Sequence, residues 1–389
     1  MIILALLSSQ AFAADPASVS FGPKGLTVAD ASGANTFNLG LSFQPRLTAT
    51  FSGDPDAADE DVVSDEGVRI RRMLLTANGS LVGRIDYRFR INAANTVSFP
   101  DADGKTQLAS KPVLDDAQVV FRIAEPLQLS VGQWKAPFTL SQAMSDTTLL
   151  FPDRPIPIDG YKFGDVKLDG LGWSRDAGAA LLGTVAEKRF EYAVGVFNGD
   201  GQNVWPGDGG LLYVGRVQAA PLGELKYDEV DLARGPARLG IGASASFNTH
   251  PTYDDAGAVG DPDTILRAGG DLRFAAAGLS IQGEAIYSVT HTAGNETDGL
   301  GAYAQLGYCL PIGVAPGVRW SRLDPSLDGK GDAVTQLEGV VNWYLPDPSK
   351  SGTNLGHKAQ LQLGWTTSLL EGASTPLAHQ VQLAAAVGF

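Results

Sequence analysis

Residues 84–92 read Arg-Ile-Asp-Tyr-Arg-Phe-Arg-Ile-Asn, and the alternation is strict. In an extended chain Arg84, Asp86, Arg88, Arg90 and Asn92 share one face, while Ile85, Tyr87, Phe89 and Ile91 share the other. A half-buried sheet of a soluble protein also alternates, but arginines at successive positions of one face are poor neighbours in a core. They suit a water-filled lumen. On a lipid face a mid-membrane arginine costs about 2–4 kcal/mol, so in a membrane-spanning strand these side chains must point inward. The pattern recurs at 335–345, where Gln336, Glu338 and Asn342 oppose Leu337, Val341, Trp343 and Leu345. It recurs again at 357–367, where Lys358, Gln360 and Gln362 alternate with Ala359, Leu361, Leu363 and Trp365.

Outward from these stretches, sixteen such runs are expected: 37–51, 68–78, 81–92, 113–123, 126–134, 175–184, 188–198, 210–219, 237–248, 265–276, 278–290, 300–310, 314–322, 334–345, 357–369 and 378–389. An even number closes a barrel with both chain ends on one side. The connections alternate too. Those at 52–67, 93–112, 135–174, 199–209, 249–264, 291–299, 323–333 and 370–377 are long, and most of the others are tight, with 220–236 and 346–356 longer than a turn needs. Long loops at one end and short turns at the other are the asymmetry of a membrane barrel. Aromatic residues near the run ends (Tyr287, Tyr308, Trp320, Trp343, Tyr344, Trp365) fit interfacial girdles. The expected fold is all-β: a 16-stranded antiparallel transmembrane β-barrel over 37–389.

Composition agrees. The chain has 389 residues, 47 of them Gly, one Cys, and 29 Lys+Arg against 43 Asp+Glu, a net charge of −14. One Cys excludes an internal disulfide framework and a cysteine-based zinc site. The acid excess argues against nucleic acid as a partner, because phosphodiester backbones select basic patches. Beyond the first residues no apolar run reaches the roughly 18 residues that mark a candidate membrane-spanning helix. Residues 1–13, MIILALLSSQAFA, read as a signal peptide ending in the small-x-small pattern Ala11-Phe12-Ala13. No basic residue precedes the run, which points to a start codon upstream of Met1. Residues 14–36 read as a polar, small-residue segment without regular structure. At the other end, Phe389 closes an alternating run through Val387, Ala385, Leu383 and Val381. A terminal Phe on such a strand resembles the signal read by the outer-membrane barrel-insertion machinery.

Several stretches resemble the phosphate-selective porin O/P family. Gly67-Val-Arg-Ile-Arg-Arg-Met-Leu-Leu followed by Gly83-Arg-Ile-Asp-Tyr-Arg-Phe is similar to its paired early strands. Leu129-Ser-Val-Gly-Gln-Trp-Lys-Ala-Pro-Phe138 resembles its turn into the constriction loop, and Phe151-Pro-Asp-Arg154, Arg175-Asp-Ala-Gly178 and Tyr192-Ala-Val-Gly-Val-Phe-Asn-Gly199 follow in order. The resemblance implies a homotrimeric outer-membrane porin whose third outer loop folds into the pore. Residues 135–174 occupy that position between the fifth and sixth runs, and Pro137, Pro152, Pro155 and Pro157 stiffen them. The motif matches nominate Arg71, Arg72, Lys135, Arg154 and Arg175 as pore residues, with Arg72 at odds with its strand face, which it shares with Ile70 and Leu74.

Selectivity in such a pore comes from charged side chains on its lining. With the polar face of each run inward, the lumen receives Arg69, Arg71, Arg84, Arg88, Arg90, Arg122, Arg189, Arg216, Arg267, Arg273, Arg319 and Lys358. Its acids are Asp86, Asp116, Glu191, Asp271, Glu284 and Glu338, so twelve cations face six anions. Low-dielectric walls focus that field and concentrate small anions. Cross-strand ion pairing would instead leave a weakly selective pore. The segment 135–174 carries Lys135, Arg154, Lys162 and Lys167 against Asp146, Asp153, Asp159, Asp165 and Asp169, which is not the excess a phosphate filter needs.

Four scattered histidines (His250, His291, His357, His379) show no metal-ligand spacing, and no catalytic motif is present. No cofactor is expected. A barrel-embedded hydrolase would have only His357 or His379 as its base, and a plugged structural barrel is the other minor reading. The acidic run 54–66 reads as a solvated loop, with cation bridging to lipopolysaccharide as the alternative. Cys309 reads as a small packing residue. The sequence thus points to a passive outer-membrane porin for small hydrophilic solutes, anion-preferring, with phosphate among its solutes and a non-specific diffusion pore as the alternative.

Overall fold

The computed structural model describes residues 18–389 except 23–24, 53–66, 95, 101–105, 165, 206–208, 225, 253–261, 350–352 and 374–375. The signal-peptide reading of 1–13 and the acidic run 54–66 lie outside the described residues.

Two short strands open the described chain, β1 (Ser18–Gly22) and β2 (Gly25–Ala29). Barrel strands β3 (Thr36–Ser52), β4 (Gly67–Leu81) and β5 (Ile85–Asn92) follow. A loop hairpin, β6 (Thr96–Pro100) with β7 (Thr106–Ser110), leads to β8 (Val113–Ala124) and β9 (Leu127–Lys135). A second small hairpin, β10 (Tyr161–Phe163) with β11 (Val166–Leu168), lies in the long third connection. The wall then continues through β12 (Arg175–Val185), β13 (Phe190–Phe197), β14 (Leu211–Ala219), β15 (Arg238–His250), β16 (Asp263–Ala276) and β17 (Leu279–Thr292). It is completed by β18 (Asn295–Tyr308), β19 (Val314–Asp324), β20 (Val334–Tyr344), β21 (Ala359–Leu370) and β22 (Ala378–Gly388).

Each wall strand pairs antiparallel with its neighbours, and β22 returns to β3 with Ala378 opposite Ser52 and Leu383 opposite Leu47. The result is a closed barrel of sixteen strands, each within five residues of an expected run. Its burial is inverted relative to a soluble protein. Leu337, Val341, Trp343, Leu363 and Trp365 are exposed, whereas Gln44, Arg46, Arg216, Asn342 and Gln362 are buried. That inversion follows from a lipid-facing outside and a polar inside.

Two bulges reset the inward pattern. Opposite Gln44 and Pro45 the β3–β4 register shifts, with Gln44 facing Arg72 and Pro45 facing Ile70, so Arg71 is the extra residue. A proline, which cannot donate to the ladder, suits such a site. Arg71 and Arg72 therefore both reach the interior, and the conflict between Arg72 and its face-mates disappears: Ile70 is exposed and Leu74 is buried. A second shift pairs Arg90 with Asp116 but Ile91 with Leu114, and turns both Asp115 and Asp116 inward.

Three expectations need correction. Within the segment 14–36, β1 and β2 form a hairpin, and β2 pairs with Thr36–Leu39 on the edge of β3 that β22 leaves open. Valines and leucines at alternate positions of this stretch (Val19, Leu26, Val28) supply the strand pattern that its overall polarity masked. The long connection expected at 291–299 is a two-residue turn, because Thr292 pairs with Asn295 across Ala293 and Gly294. Positive φ values of 50° and 79° at those residues match the turn that a right-twisted hairpin favours. The polar run there stays strand on both sides of the turn. Finally, Arg84 and Arg189 sit in turns, exposed, and not on strand faces.

Candidate permeation path

The segment 136–174 lies against the inner face of β17–β21, and the sequence supplies its attachments. Thr139 accepts from the Gln142 N–H at 3.1 Å and caps the helical turn Leu140–Ala143. The buried Glu284 carboxylate of β17 accepts from the amides of Leu140 (2.8 Å) and Ser141 (2.6 Å) and from the Tyr303 hydroxyl. Further on, the Leu150 carbonyl accepts from Asn342 and Gln362, both at 2.8 Å. Inward glycines make room for the apolar side chains. A Cβ on Gly301 would stand 2.8 Å from the Pro157 Cβ, and one on Gly307 would stand 2.7 Å from Leu150 Cδ2. Phe138, Ile156 and Ile158 join Ile286, Tyr303, Leu323 and Val334 of the wall in a buried cluster. The segment thus shares one apolar core with this wall.

Residues 228–232 of the turn-side connection 220–236 also fold inward, which its excess length in the sequence hinted at. The Glu229 carboxylate accepts from the Leu150 amide at 2.7 Å, and Asp231 accepts from the amide of Gly278 at 2.9 Å. Asp228 holds His357, in the short turn just before β21, at 2.9 Å. Burial opposes the Asp228 charge, but His357 outweighs it and keeps the carboxyl below its ordinary value. Cys309 is buried with Leu150, Phe151, Val230 and Tyr344.

Charge organises the opposite side. Asp153 meets Arg46, Arg71 at 3.1 Å and Arg72 at 4.0 Å. Asp146 meets Arg154, Lys135 at 3.2 Å and Arg175 at 3.6 Å. Burial works against both carboxylates, yet these cations together hold each well below the usual carboxylate range. Arg175 also reaches Asp116 at 2.8 Å and Asp115 at 3.4 Å, and Arg90 lies 3.8 Å from Asp116. Arg216 grips Asp271 bidentately, at 2.6 and 3.0 Å. On the β17–β21 wall itself Arg319 holds Glu338 and donates to the Asp153 carbonyl at 3.0 Å, and on the open side Arg122 pairs with Asp86 at 3.0 Å.

The open spaces follow the β4–β14 side. One of about 180 Å³ is lined by Arg71, Arg72, Lys135, Arg154 and Arg175 with Asp115, Asp146 and Asp159. Past Lys135 lies one of about 550 Å³, whose charged lining is Arg88, Arg90, Lys135 and Arg216 with Asp116 and Glu191. It shares Arg88 and Gln118 with a space of about 350 Å³, and Glu191 with one of about 530 Å³ that also contacts Arg84, Arg122 and Lys188.

The structure therefore gathers Arg71, Arg88, Arg90, Lys135, Arg154, Arg175 and Arg216 around two spaces that share Lys135, with Arg84 and Arg122 around a neighbouring one on the turn side. Others are spent elsewhere. Arg267 stacks 4.2 Å from the Trp173 ring and bonds the Leu171 carbonyl, and Arg273 bonds the Lys226 carbonyl. Arg319 is packed under Phe151. Lys162 and Lys167 face each other across the β10–β11 hairpin, exposed, and line none of these spaces. His357 bonds Asp228 and Gln360, and His379 bonds Thr367, so neither meets a serine among the described contacts. Sequence reading missed Arg46 and Asp115. The alternating Gln44, Arg46, Thr48 and Thr50 signalled the first, while the bulge that turns the second inward leaves no pattern.

A closed barrel with lipid-facing apolar residues and a charged, water-accessible interior defines an outer-membrane porin. The sequence profile of phosphate-selective porin O and P matches residues 46–314, and the chain belongs to this family. Family and fold point to a channel of the outer membrane rather than to an enzyme. Among solved structures, the anion-selective porin from Comamonas acidovorans is similar over 91% of this chain and 100% of its own, with TM-score 0.58 and 11% identity. The outer membrane channel DcaP of Acinetobacter baumannii is similar over 93% and 99%, with TM-score 0.54 and 12% identity. OmpT of Vibrio cholerae in its trimer form is similar over 91% and 99%, with TM-score 0.53 and 10% identity. At such identities these likenesses concern the fold. No curated protein sequence matches the chain significantly.

Proposed function

We propose that the protein is a passive, anion-preferring porin whose segment 135–174 forms the constriction. One observation carries this reading: the two spaces that meet at Lys135 are each lined by more cations than carboxylates, five against three on the outer side and four against two beyond. Excess positive charge between low-dielectric walls raises the local anion concentration and excludes cations. Phosphate is among the anions admitted. The guanidinium forks that would grip it are already engaged by Asp116, Asp146 and Asp153, which favours transit over tight capture. Homotrimer assembly, contact with lipopolysaccharide, and delivery by the insertion machinery through Phe389 belong to the same reading. The trimeric OmpT supports the first.

The balanced exit space, with Arg84, Arg122 and Lys188 against Glu125, Glu191 and Glu224, favours a second reading as a weakly selective diffusion pore. Planar-bilayer current with inorganic phosphate substituted for chloride at constant potassium separates the two. An anion path loses most of its current to the slower anion, whereas a weakly selective pore keeps the share that potassium carries.

A further inference from the structure

The space beyond Lys135 differs in kind from the one outside it. The outer space has a single apolar liner, Leu74, among its charged, amide and hydroxyl residues. The inner one has about 550 Å³, within the roughly 300–1,000 Å³ of pockets that hold small organic molecules. Arg88, Arg90, Lys135 and Arg216 are its cationic lining, with Arg90 and Arg216 also paired to Asp116 and Asp271, and Leu182, Pro137 and the Tyr227 ring supply an apolar surface. Leu182 occupies an inward position of β12 and is only half-buried, so it breaks the polar lining with a surface that water solvates poorly. Tyr227 comes from the turn-side segment that folds into the barrel, and its hydroxyl donates to Glu191 at 2.7 Å, which fixes the exposed ring in place. Arg88 is exposed and has no ion-pair partner among the described residues.

We infer that this chamber takes organic anions: a carboxylate or phosphate ester with a carbon body of about one ring. The head group meets Arg88, Arg90 and Arg216, and the carbon body lies on Leu182, Pro137 and Tyr227. The inference rests on the anion-conducting reading and adds a solute class to it. Inorganic phosphate can use only the cationic half of the chamber, so it is held more weakly there than an ester of equal charge.

The test uses the full chain in planar bilayers at about pH 8, where inorganic phosphate and phenyl phosphate are both mainly dianions. Phenyl phosphate is expected to halve the chloride current at a concentration at least ten-fold below that for inorganic phosphate. Leu182→Asn and Tyr227→Ser are each expected to remove most of that difference, with heat-modifiable gel migration as the check that each variant has folded. Equal potency of the two anions on the unaltered protein, or a preference that both substitutions leave intact, overturns the organic-anion chamber while the anion-conducting reading stands. A cation-selective reversal potential in the same bilayers overturns both.

Discussion

Arg71 Nη2 lies 3.1 Å from Asp153 Oδ1, a contact between residues 82 positions apart that joins the second wall strand to the middle of the inserted segment. The bulge at Arg71 makes it possible, because a regular strand could direct only one of two consecutive arginines inward. Arg46 and Arg72 complete the surroundings, so one carboxylate stands among three guanidinium groups. The same contact anchors the segment and leaves a local positive excess.

Asp153→Asn is therefore expected to loosen the segment and increase anion selectivity together. Removing one partner of a mostly buried ion pair costs several kcal/mol, and the partial exposure of this carboxylate lowers that to roughly 1–3 kcal/mol. A lower melting temperature with a reversal potential shifted further toward the anion limit is the expected pair of results. A variant that melts like the parent, with unchanged selectivity, would mean that the contact does neither.

The pH dependence has a definite sign. Asp146 and Asp153 are held well below the ordinary value of 3.8, so their folded state binds fewer protons than the unfolded chain. Their contribution is complete above that ordinary value and is lost as pH falls through the still lower folded values. Thermal stability in detergent is expected to hold from neutrality to about pH 4 and to fall below it. A loss centred near pH 6 would exclude these carboxylates as the source.

Gly301 is the third test. Pro157 cannot rotate away from a new side chain, so Gly301→Val should push the inserted segment off the wall and toward the open side. Single-channel conductance is expected to fall. An unchanged conductance in a folded variant would show that the segment does not border the path.

Much of the wall was legible because one physical constraint, apolar outward and polar inward, repeats along every strand. Leu361, Leu363 and Trp365 state it as plainly as Arg88 and Arg90. What escaped was whatever broke that period. Asp115 faces inward only because of a bulge, and Val19 and Val28 sat in a stretch whose composition resembled a linker. Charge counting from strand faces also overstated the free arginines. Asp146 and Asp153, which neutralise the wall, come from a loop whose folding no periodicity reveals.

The N-terminal hairpin gives a fourth expectation. The Phe21 ring centroid lies 5.3 Å from that of Phe389, whose backbone exchanges 3.0 Å hydrogen bonds with Leu41 at the barrel seam. An aromatic pair of this kind contributes about 0.5–1.5 kcal/mol beyond its buried area. Phe21→Ala should lower the melting temperature by a few degrees and leave conductance unchanged. A change in conductance without a change in melting would place Phe21 on the path instead of at the seam.

The most direct test is the zero-current potential of the reconstituted protein across a ten-fold potassium chloride gradient. A cation excess on both sides of Lys135 predicts a reversal potential of the sign set by chloride, moving toward zero when Arg71, Arg88 and Arg90 are replaced together by Gln. A potential of the sign set by potassium in the unaltered protein would contradict it.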